Sequence, residues 1–150
     1  MDPGSSISIR EICAADASTA AKLSTELGYP VDPEQMQQRI RALGDSGVRV
    51  AYVACRPDGV VVGWIDVGVT RHLQGEPYAE IGGLVVSESI RSAGVGRQLV
   101  GRAEQWALDH GIINMRVRSR IDRDRAHRFY LREGYSHTKT SAVFSKTLAH

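Results

Sequence analysis

The chain has 150 residues, which suits one folded domain with a substantial buried core. Hydrophobic residues make up 42% and charged residues 24%, values typical of a soluble globular protein. The formal net charge of +2 is too small to favour nucleic acid or an anionic membrane surface, and we expect neither partner. We predict a single domain over residues 1–150, with residues 1–6 as a flexible N-terminal segment.

The two cysteines, Cys13 and Cys55, are far apart in the sequence and form no CxxC pair. Neither a disulfide nor a zinc site is therefore predicted, and both are expected to be small buried side chains in a reducing compartment. No apolar run approaches the length of a transmembrane helix, and residues 1–6 lack the basic start and apolar core of a signal peptide. We expect a cytoplasmic protein.

The chain alternates segments of strand-like and helix-like periodicity. Asp32 and Pro33 favour a helix start, as an N-cap acid and a proline at the first helical position, and Gly44 is predicted to end that helix. Residues 56–59 (Arg-Pro-Asp-Gly) predict a hairpin turn, and residues 71–77 predict a polar connection. The predicted elements are a strand over 7–12, helices over 14–27 and 33–43, strands over 48–55, 60–69 and 78–86, a helix over 95–110, a strand over 112–117, a helix over 125–133, and two strands within 135–148.

The most informative local feature is a strand that leads through a glycine-bearing turn into a helix. The apolar run Ile81–Val86 is followed by Arg91, Gly94 and Gly96, and a helical run begins at Val95. First-turn N–H groups of a helix lack intrahelical acceptors, and the helix dipole adds partial positive charge there. Glycines let a phosphate approach the backbone, and an arginine supplies a cation. The pattern favours a diphosphate site, but a turn that only starts a helix has a similar local sequence.

The order of elements predicts a mixed α/β (α+β) fold. An antiparallel meander is followed by one parallel βαβ unit around the glycine turn. A ligand is expected at the carboxyl end of the strand before that turn, where neighbouring strands diverge.

These features resemble the GNAT superfamily of N-acetyltransferases, which transfer an acyl group from acyl-CoA to an amine. The element order matches over essentially the whole chain. The resemblance implies a central mixed, mostly antiparallel sheet of about seven strands flanked by about four helices. The matching motifs are Leu84-Val85-Val86, Arg91-x-x-Gly94-x-Gly96, Ala126-His127-Arg128-Phe129-Tyr130 and Gly134-Tyr135.

The resemblance also implies acetyl-CoA as cosubstrate, with no metal, held mainly by main-chain groups. N–H groups of Val95, Gly96 and their neighbours would bind the diphosphate. Leu84 and Val86 would pair with the pantetheine arm as an added strand does, and an N–H near Leu84 or Val85 would face the thioester oxygen. The implied cofactor-binding residues are Leu84, Val85, Val86, Arg91, Ser92, Ala93, Gly94, Val95, Gly96, Arg97 and Arg120.

Three of these positions depart from the pattern common in the family. Relatives more often carry glycine at the position of Ser92 and a basic residue at that of Ala93. Many carry an asparagine that contacts the cofactor at the position of Arg120. Arg120 could instead reach a phosphate or point to solvent, and the sequence leaves both open.

Two residues are candidates for proton transfer. An alkyl ammonium group has a pKa of about 10, so the reacting amine must lose a proton before it attacks. Glu80 is the candidate base, because some relatives carry a catalytic glutamate in a similar aromatic-Ala-Glu-Ile run; the alternative is a surface ion pair with an arginine. Tyr130 lies where the family commonly places a general acid for the leaving thiolate; the alternative is a core aromatic.

Other polar residues are expected near the acceptor amine. Asp66, His72 and Glu76 could bind an amine or lie on the surface, whereas Tyr52 and Trp64 are predicted to be core or cleft-wall aromatics. The predicted function is acetyl transfer to a primary amine of a small molecule or peptide. A CoA-binding sensor without turnover is the alternative, and an ATP- or NAD-binding protein is a third hypothesis. A homodimer is also expected, because exposed edges of a mixed sheet invite pairing.

Overall fold

The structure of the chain is a computed structural model that describes residues 6–90, 93–118 and 123–149. The chain divides into two compact units, residues 1–118 and residues 119–150. Most of the predicted flexible segment, residues 1–5, lies outside the described residues.

The order of helices and strands in the first unit agrees with the prediction from sequence. Short 3₁₀ turns occur at Ala14–Asp16, before α1, and at Glu88–Ile90, before α3. The second unit contains α4 (Asp124–Arg132). The elements of the first unit are β1 (Ser8–Glu11), α1 (Ala17–Glu26), α2 (Pro33–Ser46), β2 (Arg49–Cys55), β3 (Val61–His72), β4 (Gly75–Val86), α3 (Val95–Asp109) and β5 (Met115–Val117).

The five strands of the first unit form one sheet in the order β1-β2-β3-β4-β5. The first four are antiparallel neighbours, whereas β5 pairs parallel to β4. A parallel neighbour requires a crossover connection, and α3 provides it. The predicted meander and the single βαβ unit are therefore confirmed.

Helices pack on both faces of the sheet. On one face, Leu23 of α1 joins a core cluster with Val53 and Val85. On the other face, α3 approaches the sheet at Gly63, where an added Cβ would lie 3.3 Å from Leu99 Cδ1 and 2.9 Å from the Val85 carbonyl oxygen. The absence of a side chain at Gly63 thus lets α3 pack closely against the middle of the sheet.

The predicted end of α2 at Gly44 is wrong. Gly44 lies inside the helix, which continues to Ser46 and ends at Gly47. Gly47 adopts a left-handed conformation with φ of 69°, which glycine adopts without the steric cost of a Cβ. A glycine within a helix costs only about 1 kcal/mol relative to alanine, so Gly44 alone does not stop the helix. The start is as predicted, because Asp32 accepts a hydrogen bond from the Gln35 N–H at 2.8 Å.

Two further expectations in the first unit are corrected. Residues 71–77 do not form a long connection, because β3 and β4 extend into them and His72 pairs with Gly75. Cys13 is exposed, since it precedes the first 3₁₀ turn, whereas Cys55 is buried as predicted.

The two strands predicted within residues 135–148 do not form. Residues 135–149 carry no helix or strand, and each residue from 136 to 149 is exposed. Alternating sequence stabilises a strand only when one face is buried and the backbone finds a partner, and neither condition holds here. The described residues therefore contain five strands instead of about seven, together with four α-helices. None of the described helices is long and apolar enough to cross a membrane.

Candidate active site

The centre of β4 contains a bulge. Asp66 of β3 pairs with Gly83, whereas the next residue, Val67, pairs with Ile81. Gly82 is therefore an extra residue on β4, and the strand bends at this point. Among the described residues, β4 has strand partners on both sides just before the bulge, at Ala79–Ile81, and only β3 as partner after it.

Beyond the bulge, the edge of β4 that faces away from β3 has no partner in the described chain, and we call it the open edge. Within the described residues, β5 pairs with β4 only at Ala79, Glu80 and Ile81. On the other side, the Ser87 N–H donates to the Val62 carbonyl oxygen at 2.8 Å. Backbone groups alternate between the two edges of a strand, so those of Leu84 and Val86 face the edge away from β3. That edge offers hydrogen-bonding groups to an extended ligand.

The glycine turn follows directly after this open edge. Gly94 precedes α3 with φ of 83°, and it offers no side chain to cap the first turn of the helix. A Cβ at Gly94 would have no atom of the described residues within 4 Å. The first helical hydrogen bond runs from the Gln98 N–H to the Gly94 carbonyl oxygen at 3.0 Å. The start of α3, at Val95 and Gly96, thus has the open approach and N–H groups that an anion requires.

The remaining cofactor-binding candidates differ in what the structure shows. Val85 packs its side chain into the core cluster. The Ala93 N–H donates to the Ile90 carbonyl oxygen at 3.3 Å, so the turn itself uses this donor. Arg97 is exposed in the first turn of α3. Arg91, Ser92 and Arg120 lie outside the described residues.

Glu80 lies on β4 just before the bulge. Its side chain is 26% exposed, and its Oε2 accepts a hydrogen bond from Arg118 Nε at 3.2 Å. The ion pair considered from sequence is therefore present. The role of Glu80 as base stays a prediction.

Asp66 forms a second ion pair on the same sheet face. Arg49 Nη2 donates to Asp66 Oδ2 at 2.6 Å. Burial raises the pKa of the Asp66 carboxyl above its ordinary value, although Arg49 and the Gly83 N–H partly offset this. The pair lies beside the bulge, because Asp66 is the partner of Gly83.

Glycines make room for this pair. A Cβ at Gly68 would lie 2.5 Å from Arg49 Cγ, and a Cβ at Gly82 would overlap the Asp66 carboxylate. The Trp64 ring covers Gly83, where a Cβ would lie 3.1 Å from the indole. Trp64 Nε1 is buried and has no hydrogen-bond partner among the described residues.

Other residues named from sequence have simpler surroundings. His72 lies at the exposed end of the β3–β4 hairpin and contacts the Tyr78 ring edge-on, with ring centroids 5.7 Å apart. Glu76 is exposed on the same hairpin. Tyr52 is a core aromatic as predicted, with the Arg102 guanidinium 4.5 Å above its ring, and burial raises the pKa of its hydroxyl.

Tyr130 belongs to the second unit. It lies on α4, half-buried, and its ring centroid is 5.2 Å from that of Phe129 and 5.8 Å from that of Tyr135. The Tyr135 N–H donates to the Tyr130 carbonyl oxygen at 3.0 Å, which closes the end of α4. Its role as general acid stays a prediction.

A cavity of about 300 Å³ lies away from β4, between α2, the start of β2 and Trp106. Its lining includes the charged residues Glu11 and Arg49 but no residue of β4 or of the glycine turn. We therefore place the candidate site at the open edge of β4. In the described part of the chain no three metal-ligating side chains cluster together.

Sequence reasoning missed Arg49 and the role of Gly68. It also left open which arginine pairs with Glu80. The adjacent glycines Gly82 and Gly83 in an otherwise apolar strand were the available signal, since glycine inside a strand often marks a bulge or a close approach.

Known proteins share this architecture. A family model described as acetyltransferase (GNAT) family matches residues 17–135. An aminoalkylphosphonate N-acetyltransferase from Salmonella typhimurium is 39% identical over 87 residues, which are 57% of this chain and only 56% of that protein. Thus the chain matches little more than half the length of this curated relative.

Solved structures resemble the whole chain. An aminoglycoside antibiotic 6'-N-acetyltransferase from Acinetobacter baumannii superposes with a TM-score of 0.82 at 20% identity, over 95% of this chain and 99% of that chain. An aminoglycoside N-acetyltransferase crystallised with CoA gives 0.82 at 17% identity, over 93% and 94%. At such low identity these matches establish the fold alone. With the family match over most of its length, the chain belongs to the GNAT family of acetyltransferases.

Proposed function

We propose that this protein transfers the acetyl group of acetyl-CoA to a primary amine of a small molecule or peptide. The observation that carries the proposal is the open edge of β4, which begins at the bulge and leads to the glycine turn before α3. Bound acetyl-CoA would supply the activated acetyl group.

The shape of this edge suits an elongated cosubstrate. Leu84 and Val86 present backbone groups that an amide-containing arm can pair with, as an added strand would. The start of α3 then offers helix N–H groups and unobstructed space over Gly94 for a diphosphate. The family model and the CoA-bound relative support this assignment.

Glu80 is the proposed base on the chain. It lies at the border between the paired and open halves of β4, where an amine would meet the acetyl group. Proton removal by a positioned side chain contributes about 10²- to 10⁴-fold to a rate. Tyr130 is the proposed acid for the leaving thiolate.

The acceptor class is open between two chemistries. The curated relative is named for aminoalkylphosphonates, in which an amine accompanies an anionic group. The structural relatives are named for aminoglycosides, which carry several amines. Both are small-molecule amines, which supports the small-molecule part of the proposal more than the peptide part.

The activity test measures release of free CoA thiol from acetyl-CoA with a panel of small amines. We expect turnover by the wild type and a loss of about 10²-fold in kcat for Glu80→Gln. Glu76→Gln, on the same strand but at the exposed hairpin, is the matched control and should retain activity. CoA binding without transfer to any amine would instead support a sensor module.

The cosubstrate site has its own test. Gly94→Ala and Gly111→Ala both place a Cβ at a positive φ, at opposite ends of α3. Each should cost about 1–2 kcal/mol in stability. Only Gly94→Ala should weaken CoA binding in calorimetry, and equal affinities for the two variants would refute the diphosphate site.

A cytoplasmic location and a homodimer stay predictions from the sequence.

A further inference from the structure

Four residues lie side by side across four strands of the sheet. Arg49 of β2 pairs with Gly68 of β3, Gly68 with Glu80 of β4, and Glu80 with Arg116 of β5. Paired residues of neighbouring strands project from the same face, so Arg49 and Glu80 share a face with an empty glycine position between them.

The Arg49 side chain lies across that empty position. A Cβ at Gly68 would be 2.5 Å from both Cγ and Nη1 of Arg49. Farther along the same side chain, Nη2 would be 3.0 Å from a Cβ at Gly82 and bonds to Asp66 at 2.6 Å. The guanidinium of Arg49 therefore reaches the bulge of β4, although its backbone lies two strands away.

Most donors of this guanidinium have no partner among the described residues. An arginine side chain carries five N–H donors. Within the described residues, the guanidinium of Arg49 forms one hydrogen bond, from Nη2 to Asp66, and the side chain is 33% exposed. Asp66 thus holds the guanidinium in place while leaving donors that can bind an anion.

The charges around the bulge favour an anion. We call the five charged residues on this face, Arg49, Asp66, Glu80, Arg116 and Arg118, the bulge face. Arg118 bonds to Glu80 through Nε, and the Arg116 guanidinium lies 4.0 Å above the Tyr78 ring. Three guanidinium groups thus accompany two carboxylates, and each carboxylate already has an arginine partner.

We propose that the bulge face binds the acceptor and that Arg49 selects primary amines that also carry an anionic group, a phosphonate or a carboxylate. This inference rests on the proposed acetyl transfer. The amine of such an acceptor lies near Glu80, and its anion receives hydrogen bonds from the guanidinium of Arg49. A planar guanidinium matches the paired oxygens of both anions.

The test compares acceptors of similar length that differ in charge. Rates of CoA release are measured with 2-aminoethylphosphonate, 3-aminopropanoate, ethanolamine and 1,3-diaminopropane. We expect kcat/KM for at least one anionic acceptor to exceed that for ethanolamine by about tenfold or more. The phosphonate and the carboxylate arms show which anion is preferred. Faster turnover of 1,3-diaminopropane than of both anionic acceptors would overturn the proposal.

Variants then assign the preference to Arg49. Arg49→Met should reduce the ratio of anionic to neutral kcat/KM by about tenfold, and Arg49→Lys should reduce it less. Arg56→Met, which removes an arginine from the exposed pair with Asp58, is the matched control and should keep the wild-type ratio. An unchanged ratio in Arg49→Met would overturn the proposal.

Arg49→Met leaves the Asp66 carboxylate without its arginine partner, which destabilises the fold. A second variant therefore separates loss of stability from loss of selectivity. Arg49→Met/Asp66→Asn removes both charges, and its melting temperature and CoA affinity verify the fold. It should show the same lowered ratio, and a wild-type ratio would count against Arg49. Absence of turnover with every amine would refute the acetyl transfer instead, which distinguishes the two failures.

Discussion

Two arginine–aspartate pairs in the first unit have the same chemistry and different surroundings. Arg10 binds Asp16 through two hydrogen bonds of 2.8 Å, and the Cys13 N–H donates a third to the same carboxylate. Arg49 binds Asp66 through one hydrogen bond, between glycines beside the bulge. The carboxylate of the first pair accepts three hydrogen bonds, whereas that of the second accepts one side-chain hydrogen bond from the described residues.

The pKa values of the two carboxyls move in opposite directions. The hydrogen bond from Arg10 is the main cause that lowers the pKa of Asp16. Burial is the main cause that raises the pKa of Asp66. A carboxylate that accepts several hydrogen bonds is stabilised in its charged form, which suits a structural role. A carboxylate whose charged form is destabilised by burial, beside glycines that leave space for a ligand, suits a binding role. We therefore expect the number of hydrogen bonds that a carboxylate accepts, more than the presence of an ion pair, to distinguish a structural pair from a ligand-binding one.

The largest effect is expected for Gly82→Ala. The new Cβ would overlap the Asp66 carboxylate, so the pair and the bulge must shift. Small displacements of reacting groups cost about a hundredfold in rate, and we expect that loss in kcat/KM for CoA release. Overpacking should also lower the free energy of unfolding by about 1–3 kcal/mol.

Gly101→Ala is the control for this change. Gly101 lies on α3, where a Cβ meets nothing within 4 Å. The same substitution there should stabilise the protein by about 0.5–1 kcal/mol and leave kcat/KM unaltered. If Gly82→Ala had the same stability and kcat/KM as Gly101→Ala, the close packing around Arg49 and Asp66 would have no functional importance.

Next in size is the loss of stability in Asp16→Asn. Removing a charge that accepts three hydrogen bonds should lower the free energy of unfolding by about 2 kcal/mol in urea denaturation. Its kcat/KM should stay within about twofold of the wild type, because the pair is structural. Asp66→Asn should show the reverse, with a smaller loss of stability and a larger loss of activity. Similar profiles for the two variants would contradict the comparison.

The pH dependence of stability should also differ in sign between the pairs. Asp16 has a lowered pKa in the folded state, so its stabilisation is present above about pH 3.9 and is lost as pH falls through the folded pKa. Asp66 has a raised pKa, so its contribution is largest below about pH 3.9 and is lost as pH rises through the folded value.

Urea unfolding of the two Asn variants across acidic pH measures these signs. The advantage of the wild type over Asp16→Asn should shrink on acidification. The advantage over Asp66→Asn should shrink as pH rises. The same direction for both variants would show that the surroundings of the two carboxyls do not differ as described.

The smallest effect is expected at the hairpin pair of Arg56 and Asp58. Both side chains are largely exposed, at 44% and 58%, and Arg56 lies 3.0 Å from Asp58. Water screens such pairs, so Arg56→Met should change neither the melting temperature nor kcat/KM measurably. A clear loss of activity would mean that arginine content in general, and not the position of Arg49, supports turnover.

Local patterns predicted most of the elements. The N-cap at Asp32, the turn ending at Gly59 and the glycine start of α3 depend on neighbouring residues alone, and each is present. The helix α2 ends three residues later than predicted. Gly44 and Gly47 were both possible end points, and only the backbone of Gly47 adopts the left-handed conformation that ends the helix. The strands within 135–148 were overpredicted, because alternation does not reveal whether a face becomes buried.

The candidate site was predictable only in part. Glu80 and the residues from Leu84 to Gly96 came from a contiguous stretch with a family resemblance. Arg49 is separated from Asp66 by 17 positions, and Arg118 from Glu80 by 38. Such pairs depend on strand register, which no local pattern specifies.

Local sequence was enough to predict the strand, glycine turn and helix of a GNAT acetyltransferase, because periodicity and helix-start signals act over a few residues. The assembled sheet was needed to show where, among the described residues, β5 stops pairing with β4, and that Arg49 crosses β3 to reach Asp66. These features arise from lateral hydrogen bonding and packing between distant segments, where one extra residue in a strand shifts every later partner.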